Sequence, residues 1–160
     1  MKVTKTVGVL SIIAGIVLIV AGALTWGMVS SQLADENITV PGDARAFAGQ
    51  EVRGPLTAFF QADTINMHAM NNTGGVTYAE LGTLVSEANA AGDEEAAAEY
   101  QAQRDMVMNG SFLRASLFTS VVSYGVAALV MGLGLMFGLI GWALVKIPQS
   151  VPAPERATDA

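Results

Sequence analysis

The chain has 160 residues, 52% of them hydrophobic and 14% charged, with a formal net charge of −6. It is too short for two ordinary soluble domains, and its hydrophobic share exceeds that of a typical one. The absence of cysteine excludes both a disulfide framework and a thiolate metal site.

Lys2 and Lys5 introduce an uncharged stretch from Thr6 to Ala34. A bilayer core about 30 Å thick takes roughly 20 apolar residues of helix at ~1.5 Å each. The stretch exceeds that, so residues 1–6 read as a short N-terminus and residues 7–29 as a first transmembrane helix. A cleaved signal peptide is the rival, with Ala21-Gly22-Ala23 as its small-residue cleavage site. The apolar run continues past Ala23 to Val29, which favours a retained span. At 100° per residue Gly8, Ser11, Gly15 and Gly22 share one face with Leu18. Small residues so placed let another helix backbone come close. Trp26 falls at the outer end of this span, where an indole suits the interface.

Residues 30–112 carry twelve acidic residues against Arg45, Arg53 and Arg104, a local charge of −9. Such a surface repels phosphates, which argues against nucleic acid as a partner. The segment reads as a mostly helical domain with a short extended start. Ile38-Thr39-Val40 before Pro41-Gly42-Asp43 has the pattern of a strand and turn. Gly54-Pro55 opens a helix to about Met70, with Leu56, Phe59, Phe60, Met67 and Met70 as its expected buried side. Asn71-Asn72-Thr73-Gly74-Gly75 breaks it. Thr77 and Glu80 form a capping box for the next helix, which Ala90-Ala91-Gly92 interrupts. Asp93, Glu94 and Glu95 suit the positive end of a further helix dipole. That helix is expected to end near Asn109, with Asn109-Gly110 as a turn and Ser111 as the cap of the last helix.

A second uncharged stretch runs from Ala115 to Val145, within an expected transmembrane helix over residues 113–146. At ~1.5 Å per residue it spans roughly 46 Å, more than the hydrocarbon core. Its outer part, bearing Ser116, Thr119, Ser120 and Ser123, is therefore expected to pack under the outer domain. Gly125, Ala128 and Gly132 lie on one face, while Ala127, Gly134, Gly138 and Gly141 lie on the opposite one. One face can receive the first span, leaving the other for a second protein or a second copy. Arg114 sits at the outer boundary, to anchor there or to pair with Asp105 or Glu99. Trp142 and Lys146 mark the inner end. Pro148, Pro152 and Pro154 then begin a disordered tail over residues 147–160. Lys2, Lys5 and Lys146 flank the spans and the middle is acidic, so both termini are expected in the cytoplasm.

Met67, His68 and Met70, with Met106 and Met108 later, form a set of soft donors that suits Cu(I). The competing role for these methionines is to fill irregular gaps in a helix core. His68 is the single histidine, and nothing in the spacing selects a serine to join it in a triad. No glycine-rich loop lies between a strand and a helix, as nucleotide binding would need.

Gly74-Gly75-Val76-Thr77-Tyr78-Ala79-Glu80-Leu81, Gly54-Pro55-Leu56-Thr57-Ala58-Phe59 and the run from Asn109 to Val122 resemble a family of small two-span membrane proteins of actinobacteria. The resemblance covers most of the chain from the first span to the second and implies a bacterial membrane protein, for which the expected location is the plasma membrane. The stretch from Glu87 to Gln103 looks like an addition to a shorter family loop. Members often carry the label of an aromatic ring-opening dioxygenase. Such oxygenases hold iron with two histidines and a carboxylate, and one chain with one histidine does not supply that set.

These readings converge on a mainly α fold: a two-helix transmembrane hairpin with a small, mostly helical extracytoplasmic domain between its spans. The expected role is that of a non-enzymatic accessory or assembly subunit of a cell-envelope or membrane complex, without a cofactor. Its partners would be the lipid bilayer and another membrane protein or a second copy of itself. The alternative is an extracytoplasmic copper-binding or delivery protein.

Overall fold

The computed structural model describes residues 2–147, so the expected tail with Pro148, Pro152 and Pro154 lies outside the described residues. Four helices account for most of this span: α1 (Lys2–Asp35), α2 (Pro55–Asn72), α3 (Tyr78–Ala91) and α4 (Glu94–Lys146). The chain divides into two compact units. One comprises its two ends, up to Ala23 and from Ala127; the other is Leu24–Val126.

α1 and α4 are both long and apolar enough to cross a membrane. Only 17% and 11% of their most apolar windows are buried within the protein. Neither is therefore the enclosed core helix of a soluble fold. Their side chains, such as Leu10, Ile16, Leu129 and Leu139, stand exposed along the helix surfaces. A row of this kind forms an apolar surface far larger than a water-soluble monomer tolerates.

In the unit formed by the chain ends, α1 and α4 run antiparallel and meet through glycines. A methyl built on Gly15 would lie 2.5 Å from the Gly134 carbonyl oxygen, and one on Gly134 would lie 2.6 Å from that of Gly15. Gly8 and Gly141 approach each other in the same reciprocal way. Gly22 meets the Ala127 carbonyl and the Met131 side chain.

Leu24–Val126 has its own core of Leu33, Val40, Val52, Ala58, Ala62, Leu117 and Tyr124. Trp26, Val29 and Phe118 flank it. α1 stops at Asp35, where Asn37 adopts a left-handed conformation (φ 52°) and its amide N–H bonds the Ala34 carbonyl. Asparagine tolerates that conformation better than most residues, so it serves as a helix stop.

Several expectations are revised. The strand expected at Ile38-Thr39-Val40 is a single antiparallel bridge, Thr39 to Glu51. Two backbone bonds flank it, from Val40 N–H to the Gln50 carbonyl and from Val52 N–H to the Ile38 carbonyl. They seat Val40 and Val52 in the core, and a further bond from Gly49 N–H to the Val40 carbonyl closes the turn, so that the pairing stays a bridge and is not extended into a strand ladder. On α2 the buried positions are Ala58, Gln61, Ala62 and Thr64, not the large residues expected. Leu56 and Phe59 are exposed, while Phe60, Met67 and Met70 are half-buried. Ala58 and Ala62, one turn apart, let α2 sit close to its neighbours; beside them the rings of Phe59 and Phe60 meet edge to face, 5.5 Å between centroids.

The turn expected at Asn109-Gly110 is also absent: α4 passes through it unbroken. Ser111 does not cap a helix start. Its hydroxyl donates to the Val107 carbonyl, one turn back. Thr119, Ser120 and Ser123 likewise donate to carbonyls four residues earlier. These hydroxyls are satisfied by their own helix, while Leu117 and Tyr124 of the same stretch pack into the core with Val40, Val52 and Ala58, as expected of the outer part of this helix.

The caps of α3 and the start of α4 follow the expected chemistry. Thr77 Oγ1 accepts from the Glu80 amide, and Glu80 Oε2 accepts from the Thr77 amide at 2.8 Å. Gly92 ends α3 in the left-handed region (φ 74°). Asp93 Oδ1 then accepts from the Ala96 amide at the start of α4.

Candidate functional site

The small residues of α4 separate into a covered and an uncovered set. Ala127, Gly134 and Gly141 are buried, and Gly134 and Gly141 contact α1 directly. A methyl on Gly15 would also lie 2.9 Å from the Gly138 amide nitrogen, so Gly138 borders the same contact. Gly125, Ala128 and Gly132 are exposed, and a methyl at Gly125 or Gly132 would meet nothing within 4 Å. On α1, Gly8, Gly15 and Gly22 are buried and Ser11 is half-buried.

The contacting residues share a spacing that the sequence reading did not connect. Gly8, Gly15 and Gly22 step by seven, and Gly141, Gly134 and Ala127 step by seven in the opposite direction. A seven-residue repeat keeps two helices in register along a left-handed crossing. Each reciprocal glycine pair directs a Cα–H at the partner's carbonyl, a weak but recurring contact where backbones touch.

Tyr124 is the largest fully buried side chain and ties three segments of its unit together. Its hydroxyl donates to the Arg53 carbonyl at 3.1 Å and lies 2.8 Å from Ser30 Oγ, from which it accepts. Trp26 packs edge-on to its ring at 4.7 Å between centroids. Trp26 is thus half-buried against the core as well as lying near the expected membrane boundary.

Of the other boundary residues, Trp142 and Lys146 are exposed and Arg114 is half-buried. Trp142 is 56% exposed, with Lys146 Nζ 4.9 Å from its ring centroid. Arg114 makes no ion pair with Asp105 or Glu99 among the described residues. Its guanidinium lies 5.9 Å from the Phe118 ring centroid, and its Nε is buried without a hydrogen-bond partner. Asp105 and Glu99 accept instead from Gln101 and Gln103 on the same helix.

The soft donors are only partly gathered. His68 and Met106 line one open groove, while Met67, Met70 and Met108 do not line it. His68 Nε2 is 2.7 Å from Asp43 Oδ2, and this hydrogen bond holds the Asp43 carboxyl below the usual aspartate range. Met106 sulfur accepts from Asn72 Nδ2 at 3.7 Å. Among the described residues no cluster of three or more His, Asp or Glu could hold a metal ion.

A larger cavity, about 690 Å³, opens between the end of α1, α2 and the middle of α4. Leu33, Ile65 and Leu117 supply apolar wall, while Asp35, Glu36 and Gln61 supply polar groups. Gln61 is only 9% exposed, and its Oε1 has no hydrogen-bond partner. Sequence reading passed over Gln61 because a single glutamine among alanines carries no motif.

No protein-family model, curated protein or solved structure matches the chain.

Proposed function

We propose that the chain is a two-span plasma-membrane protein that acts without catalysis, as an accessory or assembly subunit of a membrane complex. In this reading α1 and α4 form a transmembrane hairpin, both termini are cytoplasmic, and residues 30–112 lie outside the cell. Lys2, Lys5 and Lys146 on one side and the acidic middle segment on the other support that orientation.

The observation that carries the role is the division of small residues on α4. α1 covers the face of Ala127, Gly134 and Gly141 and leaves that of Gly125, Ala128 and Gly132 open. Lipid tails give helices no hydrophobic reason to associate, so close backbone packing at small residues supplies the attraction. The open face fits a helix of another membrane protein or of a second copy.

The test is cross-linking in intact membranes, followed by recovery of the full chain in mild detergent. Replacing Gly125 and Gly132 together with leucine should remove the cross-linked partner while the protein melts as before. A partner retained by this variant, or no partner for the parent protein, would overturn the reading. Reporter fusions at residue 1, near Gly92 and after Ala160 test the orientation, and an externally active C-terminal fusion contradicts it.

A further inference from the structure

We propose that an apolar patch formed by the start of α2 and the middle of α4 sinks into the headgroup layer of the bilayer, so that its partner is a lipid surface. The patch joins Leu56 and Phe59 of α2 to Phe118 and Val122 of α4. The inference rests on the two-span reading of α1 and α4 and adds to it a second, non-spanning contact with the membrane.

Two rows of side chains meet in this patch. Leu56 and Phe59 stand three residues apart on α2, and Phe118 and Val122 four apart on α4, so each pair shares a helix face. The rings of Phe59 and Phe118 join the rows, edge to face at 5.9 Å between centroids. Leu56, Phe59 and Val122 are exposed and Phe118 is half-buried. A continuous apolar surface of this kind marks a contact with something other than water.

The level of the patch selects lipid as that contact. About 20 helical residues cross a hydrocarbon core. Counted from Val7 they end at Trp26; counted back from Ala143, next to the interfacial Trp142, they end at Tyr124. The two counts are independent, yet the rings of Trp26 and Tyr124 touch, 4.7 Å between centroids. Both therefore lie at the outer edge of the hydrocarbon, where an indole prefers to sit. The Tyr124 hydroxyl donates to the Arg53 carbonyl at 3.1 Å, and α2 begins two residues later at Pro55. That bond pins Leu56 near the same level. Along α4, Val122 and Phe118 stand about 3 and 9 Å beyond Tyr124. Interfacial elements bury their apolar side chains over a depth of about 5–10 Å at the headgroup boundary, which matches this layer. Val126, also exposed and one turn from Val122, continues the α4 row toward the hydrocarbon.

The charges around the patch agree with a phosphate layer. Arg114, one turn beyond Phe118, heads the α4 row and has no carboxylate partner among the described residues. Arg53 beside Leu56 is paired with Glu51, and Asp63, one turn beyond Phe59, is paired with Arg45. No unpaired carboxylate stands in either row to be repelled by phosphate.

The chain has no cysteine, so a single nitroxide label can be placed on the full chain in phosphatidylcholine nanodiscs. Labels on Leu56→Cys and on Phe59→Cys should relax more with lipid-soluble oxygen than with a water-soluble nickel chelate. Phe112 is exposed as well, but it stands about 18 Å beyond Tyr124 along α4. A label on Phe112→Cys should show the reverse preference. A label on Leu139→Cys reports on the span itself. If the Leu56 label behaves like the Phe112 label while the Leu139 label stays in lipid, the proposal is overturned and the two-span reading stands. A Leu139 label open to nickel overturns both. A Leu56 label shielded from both reagents means that another chain covers the patch, which also overturns the proposal. Should Leu56→Cys not fold, Phe59→Cys carries the same comparison.

Discussion

Gly15 and Gly134 face each other so closely that a methyl on either would lie within 2.6 Å of the other's carbonyl oxygen. Neighbouring backbone cannot give way as the end of a flexible side chain can. Gly15→Leu or Gly134→Leu should therefore force the two helices apart, at a cost of at least about 2 kcal/mol. Gly125→Ala and Gly132→Ala meet open space and should leave stability unchanged or slightly raised. Thermal unfolding of the four variants in detergent gives the comparison. Equal melting of Gly15→Leu and the parent would show that this contact contributes nothing.

Gly110 offers the opposite case. It lies inside α4, where glycine costs about 1 kcal/mol relative to alanine. A methyl there would stand 3.6 Å from Ile65 and 3.7 Å from Ala69, ordinary contact distances. Gly110→Ala should stabilise the protein by roughly 0.5–1 kcal/mol, seen as a higher melting temperature. A destabilised variant would mean that the chain breaks at Asn109-Gly110 after all.

That position also shows what the sequence could and could not convey. Asn109-Gly110-Ser111 has the composition of a turn and cap, and local preference alone favours one. The helix continues because α2 places Ile65 and Ala69 against Gly110, and because Ser111 finds an acceptor in the preceding turn. Both are facts of packing that no local pattern contains. By contrast, the Thr77–Glu80 box and the Gly92 stop were readable, since their chemistry is complete within a few residues. The two small-residue faces of α4 were readable by angle, but the face taken by α1 depended on pairing Gly8 with Gly141 and Gly15 with Gly134 across the chain. On α2 the large residues drew attention from Ala58 and Ala62, because close approach of a helix uses small side chains.

Tyr124 joins α1 to the segment before α2 through one hydroxyl, shared between Ser30 and the Arg53 carbonyl. Tyr124→Phe keeps the ring against Trp26 and removes both hydrogen bonds. The expected loss is about 1–2 kcal/mol, since the carbonyl is left without its donor. A double-mutant cycle with Ser30→Ala separates the two bonds, and coupling below about 0.5 kcal/mol would show that the Ser30 contact contributes little.

The capping box on α3 makes the local structure there sensitive to acid. Hydrogen bonds from the Thr77 hydroxyl and amide to Glu80 favour the ionised carboxylate and hold it below the usual glutamate range. Because the folded value is depressed, the cap's contribution is present above the unfolded glutamate value. It is lost as pH falls through the folded one. The Thr77 amide proton reports this directly, because protonating Glu80 weakens the acceptor it donates to. Its chemical shift should titrate with a midpoint below that of an unfolded glutamate, and hydrogen exchange at the start of α3 should quicken across the same window. In Glu80→Gln the titration should disappear, while the Thr77 hydroxyl still accepts from the residue 80 amide and holds part of the cap. A Thr77 midpoint at or above the ordinary glutamate value would mean that the carboxylate does not hold the cap in solution.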